Sequence, residues 1–211
     1  MEYFTLKSES QGGFVEKKSR FIGYACPVSS EAGAQNFIEK ISKKHWDARH
    51  NVYAYIIRKG SQSSGITRYS DNGEPAGTAG IPVLSVLEKG GISDACIVVT
   101  RYFGGILLGA SSLARAYSHA ASLAVKSSGI SHMQMCSQGR MTCDYSGYGR
   151  VSALLPEHGA VVDDVVYTDV VEIYFHVPAE GLQNLVRILA DVTCGTAEIA
   201  VTGEQFYLID N

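Results

Sequence analysis

The sequence predicts an α+β protein of two domains, and three observations carry that prediction. Apolar residues alternate with a period of two in some segments and recur with the helical period in others. The longest helical stripe ends at Ser127-Ser128-Gly129, after which the pattern restarts as strand, helix, strand, strand, helix, strand. The charge also changes sign at that break: residues 1–130 hold 15 Lys and Arg against 10 Asp and Glu, and residues 131–211 hold 3 against 11. The domains are therefore expected at 1–130 and 131–211, both ordinary sizes for a domain.

Gly13 to Val28 reads as one or two strands. Glu31 to Ser42 is a helix, because Ala34, Phe37, Ile38 and Ile41 fall on one face. Lys40, Lys43 and Lys44 crowd its last turn, where cations suit the helix dipole. His50 to Arg58 alternates, with Val52, Ala54 and Ile56 on one side and Tyr53, Tyr55 and Ile57 on the other. Ser61 to Gly77, rich in Ser, Gly and Asp, is predicted to be a long loop. Ile81 to Lys89 follows as a short helix with Pro82 in its first turn. Asp94 to Phe103 is a strand apolar enough to be buried on both faces.

From about Ser112 to Lys126, Leu113, Ala116, Tyr117, Ala120, Ala121 and Ala124 form a stripe whose alanines imply a close approach of helix to sheet. SSG at 127–129 then predicts a helix stop and a short linker. Beyond it come a strand over Met133 to Cys143, a helix over 148–155 stopped by Pro156, and two strands about Thr168-Asp169. A helix carrying Leu182, Leu185, Val186 and Leu189 and a closing strand from Ala197 to Ile209 complete a βαββαβ order, the ferredoxin-like arrangement.

Composition narrows the function classes. With 45% hydrophobic and 18% charged residues in 211, the chain has the profile of a soluble globular protein. Its longest charge-free runs, such as 75–87, are too short for a membrane span. MEYFTLKSES lacks the basic start and apolar core of a signal peptide. Five cysteines without C-x-x-C read as reduced thiols, so a cytoplasmic location is expected. Neither metal-ligand spacing, nor G-x-G-x-x-G, nor G-K-[ST], nor G-x-S-x-G occurs, so no metal, cofactor or catalytic serine is predicted.

Three segments could carry chemistry. In CIVVTRYFGGILLGASSLARAY (96–117) a strand enters a turn containing Gly104, Gly105 and Gly109, and a helix follows with Ser111 or Ser112 as its expected cap. Free N–H groups at such a helix start attract anions, and glycines let a phosphate approach the backbone. Arg115, read as a first-turn cation, opposes the helix dipole and so calls for an anionic partner; Arg101 is expected close by. That partner is either a phosphate or a carboxylate, Asp71 or Glu74, from RYSDNGEPAGTAG (68–80), a loop in which Arg68, Asp71 and Glu74 would support the site. Two such carboxylates are also a conceivable acid–base or Mg²⁺ pair, though metal sites usually show more ligands. In HWDARHNVYAY, Asp47, Arg49 and His50 mark either a loop-to-strand junction or a small polar site.

Together these segments resemble the YigZ/IMPACT family. The resemblance rests on KKSRFIGYACPV (17–28), DARHNVYAYII (47–57), RYSDNGEPAGTAGIPVL (68–84) and VVTRYFGGILLGASSLARAY (98–117), in that order. Where the family commonly has a glycine pair, this chain has Ser111-Ser112. The resemblance implies an N-terminal ribosomal protein S5 domain 2-like fold followed by a ferredoxin-like domain, together similar to domains IV and V of elongation factor G. It implies no catalytic residue. The protein partner that eukaryotic members bind through an extra RWD domain does not carry over to these motifs.

The leading expectation is a non-enzymatic, translation-associated protein that binds RNA or the ribosome. Its contacts would be Lys17, Lys18, Arg20, Arg49, Arg101 and Arg115, with backbone groups of Gly104, Gly105 and Gly109. The alternatives are a regulator that binds a protein partner through the acidic domain, and a small enzyme acting on a phosphorylated substrate.

Overall fold

The computed structural model describes residues 1–59 and 62–209, with the backbone alone at 62–64. The chain forms two compact units, Tyr3–His132 and Met133–Asn211 together with Met1–Glu2. The class is α+β, as the periodicities predict.

The first unit is built on a five-stranded antiparallel sheet of β2 (Ser10–Glu16), β3 (Ser19–Pro27), β4 (His50–Lys59), β5 (Gln62–Ser70) and β6 (Ala95–Tyr102), in the order β2-β3-β6-β4-β5. Helices cover both faces. α1 (Glu31–Lys44) is capped at Ser30, whose Oγ accepts from Gly33 N at 3.1 Å. It buries Ala34, Phe37, Ile38 and Ile41 against Ile22, Tyr24, Tyr55, Cys96 and Val98. α2 (Gly80–Lys89) and α3 (Ala110–Ser128) cover the opposite face, over Phe21, Ala25, Val52, Ala54, Ile97 and Val99. The two tyrosines of β4 stack at 6.3 Å, and Tyr55 is fully buried beneath α1.

The alanine stripe of α3 does what its small side chains imply. A Cβ at Gly23 would lie 2.2 Å from the Ala120 carbonyl oxygen, so helix and sheet meet backbone to backbone.

In the second unit, β7 (Ile130–Cys143, from Met133 onward in this unit), α4 (Tyr145–Glu157), β8 (Val161–Tyr167), β9 (Val171–Pro178), α5 (Leu182–Val192) and β10 (Glu198–Ile209) realise the βαββαβ order. β8 pairs with β9, β9 with β7, and β7 with β10, the ferredoxin-like strand order. Ile173, Phe175 and Val177 turn inward from β9 to Leu155, Leu185 and Leu189.

Four local expectations need correction. Most of the predicted 61–77 loop is the edge strand β5, whose backbone pairs with β4 from Tyr53↔Ser70 to Lys59↔Gln62; Ser61 lies outside the described residues. Pairing with an existing strand overrides the weak strand propensity of Ser and Gly. The SSG segment stops α3, with Gly129 at φ 75°, but β7 begins at the next residue and leaves no linker. α3 starts at Ala110 with Gly109 as its N-cap, so Ser111 and Ser112 lie inside the helix and do not cap it. Pro156 falls within the last turn of α4, which ends at Glu157. One strand, β1 (Glu2–Leu6), has no counterpart in the periodic pattern.

Candidate functional site

The topology brings nearly every singled-out residue to one end of the first sheet. β2 leaves and β3 enters there, Arg20 stands opposite Tyr102, and Arg101 stands opposite His50. β5 ends there at Ser70, and α2 and α3 begin close behind their connecting loops.

Beneath this end lies a buried polar cluster. Glu74 Oε1 accepts from Arg101 Nη1 at 2.6 Å and from the Tyr117 hydroxyl at 2.7 Å, with His50 Nε2 3.9 Å away. The Glu74 and Arg101 side chains are only 4% and 7% exposed. Burial, followed by the Glu74 charge, pushes the Tyr117 phenol far above its usual range, which keeps it a donor. The Arg101 guanidinium also lies 5.4 Å from the ring centres of both Phe21 and Phe103, a setting that favours a desolvated cation. Of the partners open to Arg101, the structure supplies the carboxylate.

Asp71 serves a different end. Its Oδ1 accepts from Ala79 N at 3.0 Å and Gly80 N at 2.8 Å, and its Oδ2 from Gly77 N at 2.9 Å. It thereby closes the SDNGEPAGTAG loop and supplies the start of α2 with the cap its own N-cap residue lacks. Burial alone would raise its carboxyl, but the three N–H bonds outweigh it and hold the group below the usual value. Because the folded value is depressed, this stabilisation is complete above the unfolded carboxyl value of about 3.9 and disappears as pH falls through the folded one. Asp71→Ala should cost about 0.5–2 kcal/mol at neutral pH. The deficit should shrink in acid, as urea titrations at several pH values would record.

Among the described residues Arg115 meets neither Asp71 nor Glu74. It is exposed, its Nη2 donates to Ser112 Oγ at 3.3 Å, and it borders a cleft of about 230 Å³ with Phe14, Glu16 and His119. As α3 begins at Ala110, Arg115 stands beyond the first turn, where the dipole penalty has faded. Arg68 is on β5, its Nε 4.0 Å from Glu31 on the α1 face, and does not join Glu74.

Lys17, Lys18, Arg20 and Arg49 are exposed, and among the described residues no carboxylate lies within ion-pair distance of them or of Arg115. Lys17 and Lys18 form the two-residue turn between β2 and β3, both at positive φ, 44° and 65°. Gly104 lies directly on this turn: its N–H donates to Ser19 Oγ at 3.2 Å, and a Cβ would fall 2.0 Å from the Lys18 carbonyl carbon. Gly105, at φ 84°, and Gly109 have open space around them.

A second network contains one residue singled out in the sequence, Asp47, and three that were not, Tyr24, His45 and Tyr102. The Tyr24 hydroxyl lies 2.6 Å from His45 Nε2, His45 Nδ1 lies 2.9 Å from the Tyr102 hydroxyl, and that hydroxyl donates to Asp47 Oδ1 at 2.9 Å. Since Tyr102 gives its proton to Asp47, the consistent arrangement has His45 neutral, donating from Nδ1 and accepting at Nε2. Burial and the neighbouring Lys44 lower the His45 value and favour that neutral form. The available signal was the Tyr and His content of apolar stripes, since a buried hydroxyl or imidazole needs a partner. Tyr117 in the α3 stripe is the same case.

Comparison with known proteins agrees with the motif resemblance. Residues 17–125 match the Impact N-terminal domain, and residues 141–196 match a domain of unknown function, DUF1949. The chain is 38% identical over 206 residues to the IMPACT family member YvyE of Bacillus subtilis (strain 168), covering 98% of this chain and 93% of that protein. It is 31% identical over 188 residues to the IMPACT family member YigZ of Escherichia coli (strain K12), covering 89% and 92%. A crystal structure described as that of a hypothetical protein superposes with a TM-score of 0.62 at 29% identity, over 95% of this chain and 97% of that one. With both domains matched in order and relatives aligned along nearly its whole length, the chain belongs to the IMPACT family.

Proposed function

We propose that this chain is a non-enzymatic, translation-associated protein that binds RNA or the ribosome through the basic end of its first unit. The observation that carries this reading is the set of exposed cations, Lys17, Lys18, Arg20, Arg49 and Arg115, without carboxylate partners among the described residues. The turn adds to it. A two-residue hairpin with both φ positive is made most cheaply by Asn-Gly, and this chain has two lysines there. A left-handed conformation costs a non-glycine residue roughly 1–2 kcal/mol, a strain consistent with a function for the side chains it displays. Arg101 contributes from below, by holding the Glu74 loop, rather than as a direct contact. Both carboxylates of that loop are occupied by structural bonds, which favours binding over acid–base chemistry.

The test is co-sedimentation of the full chain with ribosomes, before and after RNase treatment. Association that survives in the RNase-treated fraction as a protein complex, insensitive to salt, would instead favour the second reading, a basic protein partner on the acidic second unit. RNA binding should weaken steeply with salt, and replacing both Lys17 and Lys18 by Ala should reduce the slope of log affinity against log salt by roughly 1.4–2. An unchanged slope would remove the turn from the interface.

A further inference from the structure

Resting on that reading, we infer that the RNA is taken single-stranded, with a base stacked on Trp46 and its phosphates held by Arg20 and Arg49. Trp46 is the chain's one tryptophan and is 83% exposed. It stands in the short connection between α1 and β4, at the end of the sheet that carries the unpaired cations. Its ring is open while the chain on either side of it is fixed. His45 is bonded to Tyr24 and Tyr102, Asp47 accepts from Tyr102, and Ala48 N–H donates to the His45 carbonyl. Tyr102 in turn sits opposite Arg20 in the β3–β6 register, and Arg49 lies three residues beyond Trp46.

A large flat ring held out to solvent on a rigid support, among cations, matches the two needs of unpaired RNA, base stacking and phosphate neutralisation. A duplex offers phosphates and groove edges but hides its base faces, so it has nothing to lay on the indole. Phe103, 43% exposed and next to Tyr102, gives a second ring of the same kind nearer the glycine turn.

Because there is one tryptophan, its fluorescence reports on this ring alone when excited at the red edge of the indole band. The full chain is titrated with a short unstructured oligouridylate and with a duplex RNA of the same length. The expected result is saturable quenching by the single strand and weaker binding of the duplex. Trp46→Ala, followed by fluorescence anisotropy of labelled RNA, should weaken single-strand binding roughly 5- to 100-fold, and Trp46→Phe should recover part of it. Lys17→Ala with Lys18→Ala should lower affinity yet leave the quenching at saturation unchanged. Single-strand binding with unaltered fluorescence and an unaffected Trp46→Ala variant would overturn the inference and leave the RNA reading standing. A duplex bound as tightly as the single strand would do the same. Absence of any RNA binding would overturn both.

Discussion

Arg101→Ala should destabilise the first unit by about 3–5 kcal/mol, the usual cost of removing one partner from a buried ion pair. The loss is large because it is not confined to the missing bond. Glu74 would be left in a place only 4% exposed, with the Tyr117 hydroxyl as its remaining close donor. The desolvation penalty of that carboxylate would then stand almost uncompensated. A double variant, Arg101→Met with Glu74→Gln, should recover much of the deficit, since the amide oxygen can still accept from Tyr117 and no charge is left stranded. Urea unfolding of the wild type, Arg101→Met, Glu74→Gln and the pair gives the coupling directly. A loss below about 1 kcal/mol for Arg101→Ala would mean that the Glu74 loop is held mainly by the Asp71 bonds.

Gly23→Ala should also be damaging, by about 1–3 kcal/mol, for a purely steric reason. The added carbon would come within 2.2 Å of the Ala120 carbonyl oxygen and 3.2 Å of the Ala124 Cβ. A backbone carbonyl cannot rotate aside as a side chain can, so α3 would have to lift from the sheet. Gly149→Ala gives the opposite sign. It lies inside α4 with nothing within 4 Å of the new carbon, so it should stabilise by roughly 0.5–1 kcal/mol through helix propensity. Thermal unfolding of the two variants beside the wild type checks both signs.

Alternating or helically spaced apolar residues made much of this architecture readable in advance. The faces of β4, the inward set of β9 and the stripe of α3 all lie as their spacing implies. β5 was not readable, because its strand state depends on the β4 edge and not on its own Ser- and Gly-rich composition. The candidate site was legible as a list of residues but not as a wiring diagram. Arg101, Glu74 and Tyr117 are far apart in the chain, and only the fold decides which charge meets which. Arg115 lies outside the first turn because α3 begins at Ala110, two residues before the start that its apolar stripe suggests. Trp46 carries no signal in the sequence because it belongs to no periodic stripe, and exposure is not encoded by a single aromatic residue.

The contact between Gly104 and the Lys17-Lys18 turn bears on how fast a partner could be captured. With the two backbones in direct apposition, the turn cannot fold away independently of the glycine segment, and its ammonium groups start from a nearly fixed platform. A charged surface that is already arranged gives up little conformational entropy on encounter. Its attraction then acts during approach, where ionic strength governs the rate at which partners meet more than the rate at which they part. Binding at this end of the sheet should therefore be quick to form, with a salt dependence concentrated in the association rate.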